Sequence, residues 1–393
     1  MVNIIKRSFA LNLFILERFY LCPPKKPTLS YKLQSYVAYM LIIVIVPVFS
    51  ILHLLLAEDL DIDRVNYNAG FLAQAICFIT KFLPFILDGQ RMKNCIFYLE
   101  SAAFATSRDN QTGIINECIR ICRRNSLVFF AGSIGAAGSW STKPLLWRRR
   151  DFPVDVWLPL DAKENVFVFS FFYLIVGIGP FIAGVITAVV DPLIAGLTYH
   201  ATSQMKILKD NLQKLADYAE EDILQAHKSS FIKNVTKEEV MVESVRKCVA
   251  HHEEILNFVK EFEDCFSLVL FSQMAGAIFV ICFSCLQLSK LNTIDSYFGQ
   301  FAMYLIFVLF EVYFYCYYGS ALSDESESLR DAIYMGPWYT YDIRTQRSLL
   351  TIMERAKIPV TVTVGKLVDL SLATFTIILQ RSYSLIAVMK NYQ

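Results

Sequence analysis

Three ionisable side chains stand inside long hydrophobic runs: Lys81, Glu311 and Arg381. Charge within a bilayer is costly, and such residues face a bundle interior or a water-filled path. Arg381 belongs to the closing stretch, Thr361 to Gln393, which also carries Ser371, Thr374, Thr376, Ser382 and Ser384. Lipid offers those hydroxyls nothing, so the stretch reads as a helix that lines something. Glu311 has two readings: a partner for Arg381 or a side portal for ions, and a protonated carboxyl that simply hydrogen-bonds. Lys81 lies near the inner end of its run, where its stem can snorkel. Lys366 and Asp369, three residues apart, read as a local helical pair.

The remaining reactive residue types point to no enzyme. Ten cysteines are spread along the chain, and Cys282 and Cys285 have CxxC spacing but sit in mid-span, where they read as small buried hydrophobes. His251 and His252 lie on a charged segment without thiols at zinc spacing and read as part of a solvated face. There is no Gly-rich phosphate loop, no nucleophile with a base at a meaningful spacing and no metal-ligand set, so no cofactor is expected. A net charge of +1 gives no reason to expect nucleic acid as a partner.

The elements that must position these residues follow from composition. Of 393 residues 55% are hydrophobic and 19% charged, against about 25% charged in soluble chains. The apolar surplus lies in runs as long as a bilayer is thick, which predicts an all-α membrane protein. Seven transmembrane helices are expected near 34–56, 68–87, 126–141, 166–190, 267–289, 298–318 and 363–389. The third is short and rich in small residues; it reads as a tightly packed span, with a buried re-entrant segment as the alternative. No cleavable signal peptide is visible in the basic, proline-interrupted first 33 residues.

Lys and Arg counts orient the bundle. With a cytosolic N-terminus, 26 of them fall inside and 8 outside, so the C-terminus is extracellular. The loop 142–165 dissents through Arg148, Arg149 and Arg150, partly balanced by Asp151, Asp155, Asp161 and Glu164. No extracellular loop then contains cysteine, and no disulfide is expected. The sequons at Asn110 and Asn234 fall inside and should stay unglycosylated. Leu197, Leu208, Leu212 and Leu215, then Val240, Val245, Val249, Ile255, Phe258 and Phe262, mark helical stripes on inward extensions of spans four and five. Thr236 with Glu239 has the form of a capping box. A new helix is expected from Ser323 to the Gly336-Pro337 break, and another over 342–357. The resulting units are 1–190, the N-terminal tail and spans one to four; 191–266, cytosolic extensions; 267–318, spans five and six; 319–362, anchor helices; and 363–393, span seven.

The stretch YCYYGSALSDESESLRDAIYMGPWY, Tyr315 to Tyr339, resembles the most recognisable part of insect odorant receptors. The closing span, with its Thr-Phe and Ser-Tyr-Ser elements, is similar to that family's last helix, and Asp191, His200, Gln204 and Leu208 fit its pattern after span four. Glu311 departs from it, standing where the family more commonly has Gln. The resemblance implies a seven-helix subunit of a tetrameric, ligand-gated, non-selective cation channel in the plasma membrane of olfactory neuron dendrites. It implies a shared co-receptor subunit as partner, a small volatile odorant as ligand, an anchor built from the cytosolic ends of spans four to seven, and a pore lined by the last span. A gustatory-receptor-like channel shares the expected fold, and the Tyr-Cys and acid-Ser stretch favours the odorant branch. A G-protein-coupled receptor is disfavoured: span three is not followed by Asp-Arg-Tyr, and span seven has no Asn-Pro-x-x-Tyr.

Within that frame the outer halves of the spans supply ligand-binding candidates. Phe71, Gln74 and Phe78 share a face of span two, Ser133, Ala137 and Trp140 a face of span three, and Phe169 and Tyr173 a face of span four. Phe301 and Tyr304 lie at the same depth on span six. Together they describe an aromatic cavity with a few polar tips, and ordinary helix packing is the competing reading. For the pore, Leu385 and Val388 share a face that a fourfold ring would turn into an apolar constriction, flanked by Ser384 and Met389.

Overall fold

The computed structural model describes residues 3–24, 27–57, 62–105, 108–146, 152–158, 165–228, 236–290 and 296–391. The Asn234 sequon and Arg148, Arg149 and Arg150 lie outside the described residues. Seven long helices dominate: span one Leu29–Leu56, span two Ile62–Leu87, span three Asp109–Leu146, span four Val166–Gln213, span five Lys237–Lys290, span six Ser296–Tyr334 and span seven Leu372–Asn391. All but span three contain a stretch long and apolar enough to cross a membrane. Span three is continuous over 38 residues, and its Gly, Ala and Ser content lowers its hydropathy while letting span four approach closely. Span five has 54 residues; at about 1.5 Å per residue it far exceeds the roughly 30 Å apolar slab. Spans four to six therefore run on past the apolar layer at one end, the end assigned to the cytosol from sequence.

That end differs from expectation in several places. Residues expected as a tail form two helices, Ile4–Ser8 and Ala10–Arg18, whose Ile5, Phe9, Leu13 and Leu16 are buried in the core. Asn12 donates to the Val189 carbonyl at 2.6 Å and ties them to span four. The helix expected to begin at Ser323 is instead the continuation of span six, because nothing in SDESESL breaks it before Tyr334. Two local expectations hold: the capping box of Thr236 and Glu239 forms reciprocally, at 3.1 and 3.3 Å, and the helix expected over 342–357 is Ile343–Arg355, with Asp342 as its cap.

His251 and His252 do not face solvent. His252 is buried; His251 bonds the Gln204 side chain at 3.1 Å and meets the Phe104 ring edge-on at 5.7 Å. The covering residues come from the 98–104 segment and span four, which the local charge pattern does not reveal.

Span seven starts later than expected. Thr363–Val364 pairs antiparallel with Val368–Asp369, and the turn places Gly365 at φ +61 and Lys366 at φ +58. Alternating β-branched residues before Gly-Lys favour this hairpin over a helix, and two positive φ angles match a type I′ turn. The hairpin docks on span five through Ser267, which donates to the Thr363 carbonyl at 3.3 Å. Lys366 therefore faces Asp264 at 3.6 Å, not Asp369, which accepts from Thr361 at 3.3 Å. Ser371 then accepts from the Thr374 amide at 3.3 Å and starts the helix.

Candidate functional site

Spans one to six line a cavity of about 420 Å³ at the end of the bundle remote from the extensions. Its wall brings together Phe71, Gln74 and Phe78 of span two, Ser133, Ala137 and Trp140 of span three, and Phe301 and Tyr304 of span six. Trp140 stacks on Phe71 with ring centres 6.1 Å apart, and its indole N–H donates to the Tyr67 hydroxyl at 3.1 Å. Tyr304 donates to the Gln74 side chain at 3.1 Å. Ser133 donates to the Gly184 carbonyl at 3.0 Å and closes the seam between spans three and four. Flat, rigid rings with their polar tips already bonded leave a preformed apolar surface, which suits a small ligand of low polarity.

Phe169 and Tyr173 are not in the lining. They pack behind it, against Phe152 at 5.1 and 6.4 Å, and the Tyr173 hydroxyl bonds the Ser141 carbonyl. The reason is a π-helical segment, Leu174–Ile178, that changes the helical phase of span four. The face presented to the cavity consequently begins with Pro180 and continues through Ala183, Gly184 and Thr187. Thr187 Oγ1 is buried without a hydrogen-bond partner among the described residues, so it is a polar point that a ligand can use.

Sequence reasoning also missed the mouth and the floor. Phe152, Pro153 and Val154 fold over the cavity; Tyr67 donates to the Pro153 carbonyl at 2.8 Å, and the Trp157 amide bonds the Phe49 carbonyl at 3.0 Å. A loop has no period from which such inward folding can be read. Ile42, Ile43 and Val46 of span one complete the wall beside a second π-helical segment, Met40–Val44.

At the floor stands Glu311, and here two expectations are corrected. Lys81 does not snorkel: it is 0% exposed and donates to Asp191 at 2.6 Å and to Glu311 at 3.0 Å. Tyr315 donates to the same Asp191 oxygen at 2.7 Å. Glu311 is thus paired with Lys81 and not with Arg381, which lies on the exposed surface of span seven. Two carboxyl groups converge on one ammonium, and the second Asp191 oxygen has no partner among the described residues. A dry site of this kind holds charges only because each meets an opposite charge or a donor. Lys81 and Asp191 are 110 residues apart, so no local pattern announces the pair.

On span seven, Met389 turns inward, its sulfur 3.6 Å from that of Cys282 on span five. Ser384 bonds the Gln380 carbonyl at 2.9 Å. Leu385 is partly exposed and Val388 52% exposed, and with Tyr383 at 73% they leave an open apolar face on the single chain.

A family model described as 7tm Odorant receptor matches residues 61–383. Odorant receptor Or1 of Anopheles gambiae is 23% identical over 98% of this chain and 95% of its own length. Odorant receptor 67a of Drosophila melanogaster is 30% identical over 46% of this chain and 43% of its own. The structure of the olfactory receptor OR5 of Machilis hrabei in complex with eugenol shares the fold, with a TM-score of 0.82 at 13% identity over 99% of both chains.

Proposed function

The chain belongs to the 7tm odorant receptor family, a multi-pass membrane family, and from this premise we propose that it is the odorant-binding subunit of a ligand-gated, non-selective cation channel. Its ligand is a small volatile held in the cavity between spans two, three, four and six. The single observation that carries this reading is the aromatic cavity of about 420 Å³, whose ring tips are satisfied internally and whose Thr187 hydroxyl, without a partner among the described residues, offers one polar contact. The pore is lined by span seven in an assembly with a shared co-receptor subunit. What supports this is the exposed apolar face through Tyr383 and Val388, which a lone subunit would leave to lipid. Lipid surrounds the remaining outer surface.

Whole-cell currents from cells expressing the chain with and without the co-receptor, challenged with volatile panels, test the proposal. A cation current that needs both subunits and an odorant is expected. A response that disappears when G-protein signalling is blocked would overturn the channel reading.

A further inference from the structure

We propose that Cys118, Cys122 and His200 form a metal site for Zn²⁺ where the N-terminal helix Ile4–Ser8 meets spans three and four. Cys118 and Cys122 are one helical turn apart and project from the same face of span three; His200 comes from span four, 78 residues further along the chain. All three are buried, and their ligand atoms lie within 4.8 Å of one another. The centre of such a triangle is at most about 2.8 Å from each corner, against about 2.3 Å for Zn–S and about 2.0 Å for Zn–N bonds. An ion there needs closure of at most about 0.5 Å on each sulfur and about 0.8 Å on the nitrogen.

The ring of His200 is held as a ligand needs it. Ser8 Oγ lies 2.9 Å from Nε2, and the same hydroxyl donates its only proton to the Ile4 carbonyl at 2.9 Å. With that hydroxyl's proton on Ile4, the tautomer with hydrogen on Nε2 donates to Ser8, and the other ring nitrogen is the one that would ligate the ion. In zinc sites a ligating histidine recurrently donates its second ring N–H to an oxygen, which fixes the ring's orientation. Phe9 closes one side edge-on, 5.7 Å from the imidazole. Thiolate and imidazole together select a borderline-soft transition ion over Mg²⁺ or Ca²⁺. Binding releases the thiol protons to solvent and forms two Zn–S bonds and one Zn–N bond, with a fourth position left for water.

The test uses the full chain, purified in nanodiscs, stripped with a chelator and titrated with Co²⁺ as the spectroscopic stand-in. Expected is an intense near-ultraviolet thiolate-to-cobalt band that saturates at one ion per chain, is displaced by Zn²⁺ and is absent from the Cys118→Ser, Cys122→Ser double variant. Ser8→Ala leaves every ligand in place and guards against misfolding of that variant; it should keep the band but weaken affinity about 10–100-fold. No band from wild-type chain that elutes as one folded species overturns the proposal. So does a band that survives in the double variant, or a Ser8→Ala affinity equal to wild type.

Discussion

At the scale of single residues the energetics centre on Lys81. Removing one member of a buried ion pair leaves the other uncompensated, typically at about 3–5 kcal/mol. Lys81→Met strands Asp191 and Glu311 and is expected to abolish surface expression. Glu311→Gln keeps an acceptor for the ammonium and leaves Asp191 to balance it, so expression near wild type is expected by surface labelling. Equal loss in both variants would mean that Lys81 depends on an ionised Glu311. The cavity gives a second contrast. Trp140→Ala removes the plate stacked on Phe71 and should raise the half-maximal odorant concentration about tenfold or more, roughly 1.4 kcal/mol. Phe169→Ala, behind the wall, should shift it little. Dose–response curves at matched surface expression decide between them.

His251 makes a pH prediction. Burial, and secondarily the neighbouring His252, holds its imidazole down at about 4. Burial first, and then Arg355, lowers His252 as well. In each case the native state refuses a proton that the unfolded chain accepts below about pH 6.5. Stability is therefore fully present above about 6.5 and declines as pH falls, for His251 down to about 4, by at most about 1.4 kcal/mol per pH unit for each ring. The thermal midpoint in detergent should show this slope, and His251→Gln should flatten part of it.

At the scale of elements, the joint between span six and the segment after the hairpin leaves no room for a side chain. A Cβ on Gly319 would lie 2.1 Å from the Leu370 carbonyl oxygen, a backbone atom that cannot swing aside. Gly319→Ala is expected to separate span six from the start of span seven and to remove current and heat resistance together. Among the described residues Gly135 has nothing within 4 Å of such a Cβ, so Gly135→Ala serves as the neutral control. The positions of these elements are only partly legible in the sequence. The expected span four lining is out of phase because a π-helical segment precedes the true one, and hydropathy has no term for one extra residue in a turn. The hairpin at 363–369 merges with span seven in a hydropathy window because Val and Thr suit an apolar helix as well as a strand.

At the scale of the whole molecule, the orientation read from charge sets a topological test. Asn110 is exposed at the start of span three and should stay unglycosylated. Ile294→Thr completes an acceptor sequon at Asn292, between spans five and six, a segment that the charge count places outside. An endoglycosidase-sensitive mass shift is expected for this variant alone. A shift in wild type, where Asn110 is one of two natural sequons, would invert the bundle.

The amino-acid sequence by itself determined the class of this protein: long apolar runs leave the backbone no choice but helices in lipid, and the Tyr315–Tyr339 stretch carries the family. It also located eight of the ten ligand-site candidates on faces that converge on one cavity, because a helical period fixes which side chains share a side. Only the tertiary structure decided what those faces meet. Lys81 with Asp191, Ser8 with His200 and Gln204 with His251 are partners far apart in the chain. Local periodicity carries no information about such pairs; they exist because dry helical cores force each polar group to find whatever donor, acceptor or charge packing brings beside it.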